Sequence, residues 1–335
     1  MDDLELRPFR SGDEAAILDA FNLVFREVCG PSFVDRDLAT WRWQFLDNPA
    51  GMRVHLAVAG DGTVAAQYAA VPVRARTPHG DTMLCQIVDS FVHPAYRQGL
   101  KRPGLFAITA RAALEHWIDL GDGLFFGMPV ENARKMSVRF LGYHTWRSVD
   151  YFCRDVGAGA LRTSDEVSVA RVDQPSPEVD RLAETVTRQK QLASVRDTAY
   201  LTWRYARCPS APYELVEARR GGALTGVMVL RPGHELVAGA CSIAELLVLE
   251  DDEVSLDALL AFADERARQH GRRRLMALFA PQAHEAGALH DRGFQTEPSA
   301  ASFFRSIGCR PAQPGLRFTD VSTRWWYSLG DFDLV

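Results

Sequence analysis

Asp89 is a carboxylate in the mostly apolar segment Ile87–Val92, and a residue of this type in this setting is suited to acid–base chemistry. The side chains of a β-strand alternate between its two faces, so Ile87, Asp89 and Phe91 are expected to share one face. Apolar neighbours raise the pKa of a carboxylate toward the range in which it can act as a general base. We therefore predict that Asp89 is a catalytic base, assisted by His93. A buried structural carboxylate that pairs with an arginine or with backbone amides would give the same pattern, and this alternative stays open.

The segment around Asp89 belongs to a series of elements that occurs twice in the chain. Each copy has a Thr-Trp-Arg-aromatic motif, a predicted hairpin, a strand, a segment of helical period and a further strand. The motif is Thr40–Trp43 in the first copy and Thr202–Tyr205 in the second, and Asp89 and Glu245 stand at the same place in the matched strands. The segments of helical period are Leu105–Trp117 and Leu256–His270. Elements that match in type and order predict the duplication of one domain.

The repeated motif places two Trp-Arg pairs in the chain, Trp41 with Arg42 and Trp203 with Arg204. We interpret all four as core residues of a helix that packs beneath the hairpin, because the second copy lacks a plausible cofactor loop. Near the C-terminus, the aromatic run Trp325–Tyr327 predicts a final strand that closes the core.

The two copies predict two domains joined by a polar stretch. A chain of 335 residues is about twice the usual size of one domain. Residues 157–177 contain clustered glycine, serine and proline and show no clear apolar period. We expect an N-terminal domain at residues 1–156, a linker at 157–177 and a C-terminal domain at 178–335. Helices and strands alternate in each copy, which predicts the α/β class.

Composition and charge limit the function. The formal net charge of -5 gives no bulk attraction to nucleic acid. No apolar run approaches the roughly 20 residues that a membrane-spanning helix needs, and the first residues are polar. The 6 cysteines are scattered without a Cys-x-x-Cys pair, so we expect reduced, mostly buried thiols and no metal site. We expect a soluble, cytoplasmic protein without a nucleic-acid or membrane partner.

The order of the elements resembles the Gcn5-related N-acetyltransferase (GNAT) fold over nearly the whole chain. The strongest likeness is in the first copy, where Asp89–Pro94 is followed by Tyr96 and Arg97, by Gly104 and by a long helical segment. These segments resemble the fourth strand, the pyrophosphate loop and the following helix of GNAT proteins. The resemblance implies two tandem GNAT-like α/β domains, each a mixed central sheet flanked by helices, with acetyl-CoA or another acyl-CoA as the cofactor.

The resemblance also implies which residues of the first copy hold the cofactor. Backbone N–H groups at the start of a helix bind phosphates with the help of the helix dipole, and glycine permits a close approach. With Gly104 taken as the glycine of the family's signature, the loop before it is longer than in the signature. The implied cofactor-binding residues are Phe91, Val92, Arg97, Gln98, Gly99, Lys101, Arg102, Gly104, Leu105 and Asn132. The alternatives are an ordinary basic turn for the loop and an N-cap for Asn132.

The second copy departs from this pattern. The acidic run Glu250–Glu253 stands where a phosphate loop should be, and its carboxylates would repel a pyrophosphate. We therefore expect no CoA binding in the second copy. The tyrosine that serves many GNAT enzymes as an acid is replaced by Val138 in the first copy and by Leu289 in the second. Tyr143 matches Phe294 of the second copy, and we interpret it as a packing residue.

The function that the resemblance implies is transfer of an acetyl or larger acyl group from CoA to an amine of a small molecule. An amino sugar, an amino acid or a natural-product intermediate would fit this description. Two alternatives stay open: a non-catalytic module that binds CoA or another ligand, and an aminoacyltransferase that uses charged tRNA. We expect a monomer or homodimer whose partner is the small-molecule amine acceptor.

Overall fold

Two β-sheets organise the chain. The computed structural model describes residues 4–97, 104–159, 161–162, 164–233, 236–299 and 306–334. It divides into two compact units, and neither unit is one continuous stretch of sequence. The first unit comprises Met1–Val73, Thr82–Trp146 and Ile307–Phe318, and the second comprises Arg74–Asp81, Arg147–Ser306 and Thr319–Val335.

The first sheet has the strand order β1-β2-β3-β4-β5-β15-β6. Its strands are β1 (Leu4–Pro8), β2 (Arg53–Ala59), β3 (Val64–Thr77), β4 (Gly80–Val92), β5 (Asp122–Gly127), β6 (His144–Ser148) and β15 (Ser306–Pro311). The pairs β1–β2, β2–β3 and β5–β15 are antiparallel, whereas β4 and β5 are parallel. The sheet is therefore mixed, as the resemblance implied.

Helices cover the sheet of the first unit and bury its apolar side chains. They are α1 (Glu14–Cys29), α2 (Leu38–Phe45), α3 (Leu105–Asp119) and α4 (Glu131–Phe140), with short 3₁₀ helices at Gly30–Ser32 and Pro94–Tyr96. Phe21 of α1 and Trp41 of α2 pack in one core cluster with Ala69 of β3. Trp117 of α3 packs in another cluster with Tyr68, the strand neighbour of Ala69. Because neighbouring strand residues point to opposite faces, helices cover both faces of the sheet.

The second sheet repeats this arrangement, with the strand order β14-β7-β13-β12-β11-β10-β8. Its strands are β7 (Asp150–Asp155), β8 (Val167–Val172), β10 (Glu214–Arg220), β11 (Ala223–Arg231), β12 (Ala240–Val248), β13 (Arg274–Ala277) and β14 (Gln295–Pro298). The pair β12–β13 is parallel, like β4–β5 in the first unit. A short strand, β9 (Ala193–Ser194), pairs with residues 75–76 at the end of β3.

The helices of this half of the chain are α5 (Val179–Gln189), α6 (Thr198–Leu201), α7 (Glu253–Gln269), α8 (His284–His290) and α9 (Phe318–Arg324). A π-helical turn, Thr202–Ala206, continues α6, and a 3₁₀ helix spans Leu329–Asp331. The side chain of Asp37 caps α2 and that of Asp197 caps α6, each by accepting a backbone N–H three residues later. The two helices that carry the repeated motif therefore begin in the same way.

Each sheet takes its sixth strand from the other half of the chain. β7 directly follows β6 in sequence but lies between β13 and β14 of the second sheet, and β15 lies between β5 and β6 of the first. This exchange corrects the contiguous domains expected at 1–156 and 178–335. The expected linker, 157–177, also contains β8, which pairs with β10 at the edge of the second sheet. Sequence patterns predict a strand but do not show which sheet it joins.

Several expectations about the core are confirmed. The segments of helical period form α3 and α7, and Trp41 and Trp203 are buried. Cys85, Cys153, Cys241 and Cys309 are buried thiols, and all six cysteines are unpaired.

Two other expectations were wrong. Arg42 is exposed, because its long polar side chain reaches water from the surface of α2. Trp325–Tyr327 does not form a strand, although Trp325 makes an isolated bridge to Leu192. The three rings are buried, so the expectation that this run closes the core is confirmed. Within the described ranges, no helix combines the length and apolarity that crossing a bilayer requires.

Candidate active site in the first unit

The parallel pairing of β4 with β5 ends before β4 does, and the unpaired edge of β4 beyond this point is called the opening. Their pairing runs from Met83 opposite Asp122 to Gln86 opposite Phe126. β5 ends at Gly127, where an added Cβ would lie 3.1 Å from the carbonyl oxygen of Ile87. β4 continues beyond this point to Val92, so Ile87–Val92 has no pairing with β5 among the described residues.

The opening lies in the same part of the fold as the first residues of α3. Gly104 is the N-cap of α3 in an extended conformation, and no side chain of the described residues caps the helix. An added Cβ at Gly104 would meet no atom of the described part of the chain within 4 Å, so these residues leave space beside the backbone. Leu105 is buried in a cluster with Ala65 and Val92. The free amides of this helix start can therefore bind an anion.

The basic loop before α3 is described only at its two ends. Gln98, Gly99, Lys101 and Arg102 lie outside the described residues, and their role in binding phosphate stays a prediction. The exposed guanidinium of Arg97 donates to both carboxylate oxygens of Glu27 at 2.8 and 2.9 Å, and its Nε donates to the carbonyl of Val92 at 2.9 Å. Arg97 is thus held at the end of β4, beside the predicted phosphate site.

Asp89 interrupts the regular alternation of β4. Its φ of 49° makes it the one non-glycine residue with a left-handed backbone in the part of the chain that the structure describes. The expectation that Ile87, Asp89 and Phe91 share a face is wrong for this reason. Val88 and Phe91 belong to the same core cluster, whereas Ile87 packs against the cluster on the other face. The left-handed residue acts as a bulge that re-aims the strand after it.

The carboxylate of Asp89 is held by two side chains and is only 10% exposed. It forms an ion pair with Arg36 and accepts a hydrogen bond of 2.8 Å from the amide of Gln44. Its backbone carbonyl accepts a hydrogen bond of 2.8 Å from Nε2 of Gln67. These contacts agree with the alternative, in which Asp89 is a buried structural carboxylate paired with an arginine. The role of Asp89 as a catalytic base stays a prediction.

His93 ends β4 and begins the 3₁₀ helix Pro94–Tyr96. Its Nδ1 accepts a hydrogen bond of 3.2 Å from the backbone N–H of Ala95, so the proton of the neutral ring is on Nε2. In this tautomer the remaining ring nitrogen donates a proton and does not accept one. This geometry suits donation of a hydrogen bond by Nε2. It is less suited to the predicted role, in which His93 assists a catalytic base.

The remaining predicted residues of the first unit have clear positions. Phe91 is buried against the ring of Phe21, with the ring centroids 6.3 Å apart. Asn132 is exposed in the first turn of α4, whose N-cap is Val130, so the N-cap alternative for Asn132 is wrong. Tyr143 is buried, as the packing interpretation predicted, and its hydroxyl lies 3.0 Å from that of Tyr68.

The strands β12 and β13 of the second unit also separate, but the chain's own C-terminal segment, Trp325–Phe332, fills the space. The parallel pairing of β12 with β13 runs only as far as Ser242 opposite Met276. Beyond this pairing, Phe279 forms a bridge with Ser328, and the 3₁₀ helix Leu329–Asp331 contacts β12. The second unit therefore has no equivalent opening along this part of the described chain.

Glu245, the counterpart of Asp89, anchors the C-terminal segment. Arg196 donates to Glu245 at 2.7 Å and lies 2.6 Å from Asp331. The hydroxyl of Tyr205 donates to the same carboxylate oxygen, Oε1, at 2.9 Å, and that of Ser328 donates to Oε2 at 2.7 Å. Burial raises the pKa of Glu245, while the charge of Arg196 acts in the opposite direction. The network is thus a fully buried structural anchor.

Sequence reasoning missed the partners of both carboxylates. Arg36 and Arg196 each directly precede the aspartate that caps the motif helix, and each pairs with the carboxylate of the matched strand. This Arg-Asp dipeptide, present before both copies of the motif, is the signal that could have identified them. The sequence gives no such signal for Gln44 and Gln67, because no glutamine stands at the matching positions of the second copy.

The sequence matches no protein-family model and no curated protein. The structure is similar to solved structures of GNAT proteins. A Gcn5-related N-acetyltransferase from Anabaena variabilis has a TM-score of 0.67 at 11% identity, over 92% of this chain and 73% of that chain. A Gcn5-related N-acetyltransferase from Kribbella flavida has a TM-score of 0.62 at 18% identity, over 91% and 70%.

A tandem GNAT protein from the clavulanic acid biosynthesis pathway matches over its full length. It has a TM-score of 0.55 at 16% identity, over 94% of this chain and 100% of that chain. These likenesses agree with the two mixed sheets, the parallel pair that separates in each and the flanking helices. The chain therefore has the fold of tandem GNAT proteins.

Proposed function

We propose that the protein is an acyl-CoA-dependent N-acyltransferase whose first unit holds the cofactor. The observation that carries this proposal is the opening between β4 and β5, which lies in the part of the first unit where α3 begins. The α3 start offers uncapped amides for phosphates, and the free edge of Ile87–Val92 offers backbone groups for an extended pantetheine arm. The acyl group is acetyl or a larger group, and the acceptor is the amine of a small molecule.

The residues present fit an acyl-CoA in two respects. The space beside Gly104 allows a close approach of the ligand to the backbone, and the basic residue Arg97 stands at the end of β4. A bound acyl-CoA supplies a thioester carbon that an amine can attack. A nitrogen–carbon bond then forms, the carbon–sulfur bond breaks, the amine loses a proton and the thiolate gains one.

The second unit, in this proposal, binds no CoA and has a structural role. The C-terminal segment stands where the pantetheine arm would lie, and the acidic residues after β12 disfavour a pyrophosphate. One site per chain is therefore expected.

A non-catalytic CoA-binding module is the second candidate, and two observations favour it. Val138, at the position of the usual tyrosine acid, is an exposed apolar residue of α4. The carboxylate of Asp89 is engaged by Arg36 and Gln44, so no free base lies beside the opening at this position. Thiol release from acetyl-CoA in the presence of a panel of small amines separates an enzyme from a binding module.

Calorimetric titration of acetyl-CoA into the full chain tests cofactor binding. We expect saturable binding near one site per chain. Gly104→Trp should abolish binding by filling the space beside the helix start, and Gly104→Ala is the matched control that should retain it, because a methyl group fits there and offers no acceptor to the amides. Absence of binding to the parent protein would overturn the assignment of acetyl-CoA. Equal binding by the Trp variant would move the site away from α3.

A further inference from the structure

A cavity of about 300 Å³ lies in the first unit among α3, the end of α4 and β15. From α3 it is lined by Arg111, Leu114 and Glu115, whose spacing of three and four residues places them on one face of the helix. Arg111 stands about 9 Å along the axis from Leu105, the first residue of α3. The cavity is therefore separate from the helix start that we assign to the cofactor, and its volume is at the lower end for pockets that bind small molecules.

Arg310 of β15 lines this cavity without a partner for its charge. It pairs in the sheet with Phe125, which packs in the core cluster beneath α3, and directly paired strand residues point to the same face. Within the described residues, the half-buried guanidinium of Arg310 makes no hydrogen bond and no ion pair. Arg53 of the same unit is also half-buried, but it pairs with Asp122 at 2.6 Å. An unpaired charge is costly to bury, so its presence points to a ligand that supplies negative charge.

Two more guanidinium groups lie next to Phe140, the last residue of α4 and part of the cavity wall. Nε of Arg111 donates to the carbonyl of Phe140 at 3.2 Å, and the terminal nitrogens of Arg111 have no partner in the described part of the chain. Arg139 lies over the ring of Phe140, 5.1 Å from its centroid. Glu115 forms no ion pair with these arginines or with Arg310 among the described residues. Positive charge is therefore in excess here, in a chain whose net charge is -5.

The wall between these charges is apolar. The buried side chains of Leu114 and Leu141 contribute to it, together with Phe140. Gly142 follows the C-cap of α4 with a φ of 71°, and an added Cβ there would lie 3.6 Å from Nε of Arg310. The left-handed glycine thus ends the helix and leaves room for the guanidinium. A ligand that matches both the charges and the wall has an apolar body and an anionic group.

We propose that this cavity is a second ligand site, in which Arg310 and Arg111 bind the phosphate or carboxylate group of a small organic anion. A guanidinium donates two parallel hydrogen bonds to either group, so the two groups share the chemistry of recognition. The apolar wall holds the body of the ligand. The inference goes beyond the proposed function, because neither arginine belongs to the acyl-CoA site or takes part in acyl transfer.

Titration calorimetry of the full chain at low ionic strength, in a buffer without competing oxyanions, tests the proposal. Phenyl phosphate and benzoate are the probes, and inorganic phosphate and acetate are the matched ions without a ring. We expect one of the aromatic anions to bind at one site per chain, at least about fivefold more tightly than its matched ion, because the ring gains the apolar wall. The aromatic anion that binds more tightly identifies the anionic group. Absence of binding by both aromatic anions, or no gain from the ring in either, would overturn the proposal.

Three substitutions that each change one charge locate the site. We expect Arg310→Gln to weaken binding of the aromatic anion by about tenfold or more. Glu115→Gln should strengthen it by about twofold to threefold, because it removes the nearby negative charge. Arg10→Gln is the matched control, since Arg10 is an exposed arginine that pairs with Glu5 on β1, and it should leave the affinity unchanged. Equal weakening by Arg310→Gln and Arg10→Gln would overturn the proposal, because net charge alone would then attract the anion.

Two further measurements separate this site from a structural role of Arg310 and from the cofactor site. Arg310→Gln removes an unpaired charge, so without ligand its melting temperature should equal or exceed that of the parent. A lower melting temperature would show that Arg310 supports the fold and would overturn the proposal. The affinity for the aromatic anion should not change in saturating acetyl-CoA, whereas mutual exclusion would assign the anion to the cofactor site and also overturn it. Failure of acetyl-CoA to bind the parent would remove the proposed function and leave this inference standing.

Discussion

His55 is a buried imidazole whose environment makes the stability of the first unit depend on pH. It is 5% exposed, its ring lies 6.3 Å from that of His116, and neither of its nitrogens has a hydrogen-bond partner among the described residues. Burial, and next the neighbouring His116, lower the pKa of His55 to about 4. The folded protein therefore keeps this ring neutral at pH values where the unfolded chain protonates it.

The sign of the effect follows from this difference in pKa. Between the ordinary pKa of 6.5 and about 4, the unfolded chain binds a proton at position 55 and the folded chain does not. The free energy of unfolding should therefore fall as the pH drops through this range, by up to about 1.4 kcal/mol per pH unit from this residue. Below about pH 4 both states are protonated, and the contribution of His55 becomes constant.

Replacement of His55 tests this dependence. We expect His55→Phe to reduce the loss of stability between pH 6.5 and 4 relative to the parent, as measured by chemical denaturation at several pH values. His55→Gln is the matched control, because it keeps polar atoms but cannot take up the proton, and it should flatten the curve equally. Parallel curves for the parent and both variants would show that another group controls acid stability.

The C-terminal segment, Trp325–Phe332, packs closely against its neighbours at Gly330. Gly330 lies between the side chains of Glu245 and Tyr205, and an added Cβ would lie 2.7 Å from the carboxyl carbon of Glu245. Both neighbours are buried and belong to the network around Arg196, so neither can move without breaking hydrogen bonds. Only glycine fits at this position.

We expect Gly330→Ala to lower the free energy of unfolding by about 1–3 kcal/mol, because the added methyl group overpacks a rigid site. Thermal unfolding followed by circular dichroism measures the change. Gly287→Ala is the matched control: an added Cβ there meets no atom within 4 Å, and alanine favours the helix α8. A Gly330→Ala protein as stable as the parent would show that the segment is loosely held.

Local patterns predicted most helices and strands but not the residues at which these elements depart from regular geometry. The periodicity of Leu105–Trp117 and the apolar run Ile87–Val92 predicted α3 and the end of β4, because the spacing of apolar residues reports a buried face directly. The left-handed conformation of Asp89 was not predicted, since the residues that hydrogen-bond to Asp89, which are Arg36, Gln44 and Gln67, are remote in sequence. A strained conformation depends on such distant contacts and leaves no period in the sequence.

The exchange of β7 and β15 makes each unit dependent on the whole chain. The fragment 1–156 lacks the strand between β5 and β6, and the fragment 157–335 lacks the strand between β13 and β14. Each fragment would expose unpaired strand edges on both sides of the gap. The exchange could not be predicted, because β7 and β15 are short strands whose composition suits either sheet.

We expect neither fragment alone to unfold cooperatively, and we expect the two to form a folded complex when produced together. Gel filtration and thermal unfolding of each fragment, and of the co-expressed pair, provide the comparison. The pair is the control for the cut itself, because it contains every strand of both sheets. Cooperative unfolding of 1–156 by itself would mean that the first sheet does not need β15.

The exchanged strand also fixes the order in which the molecule can mature on the ribosome. β5 ends at Gly127, but its partner β15 begins at Ser306, near the end of the 335 residues. At bacterial and eukaryotic elongation rates, the growing chain waits on the order of ten to forty seconds between these two points. The buried rings of Phe125 and Phe126 stand beside an open strand edge during this interval. The first unit, most of which is translated first, therefore stays incomplete until β15 has been made, and its nascent form exposes an unpaired strand edge to which a chaperone can bind.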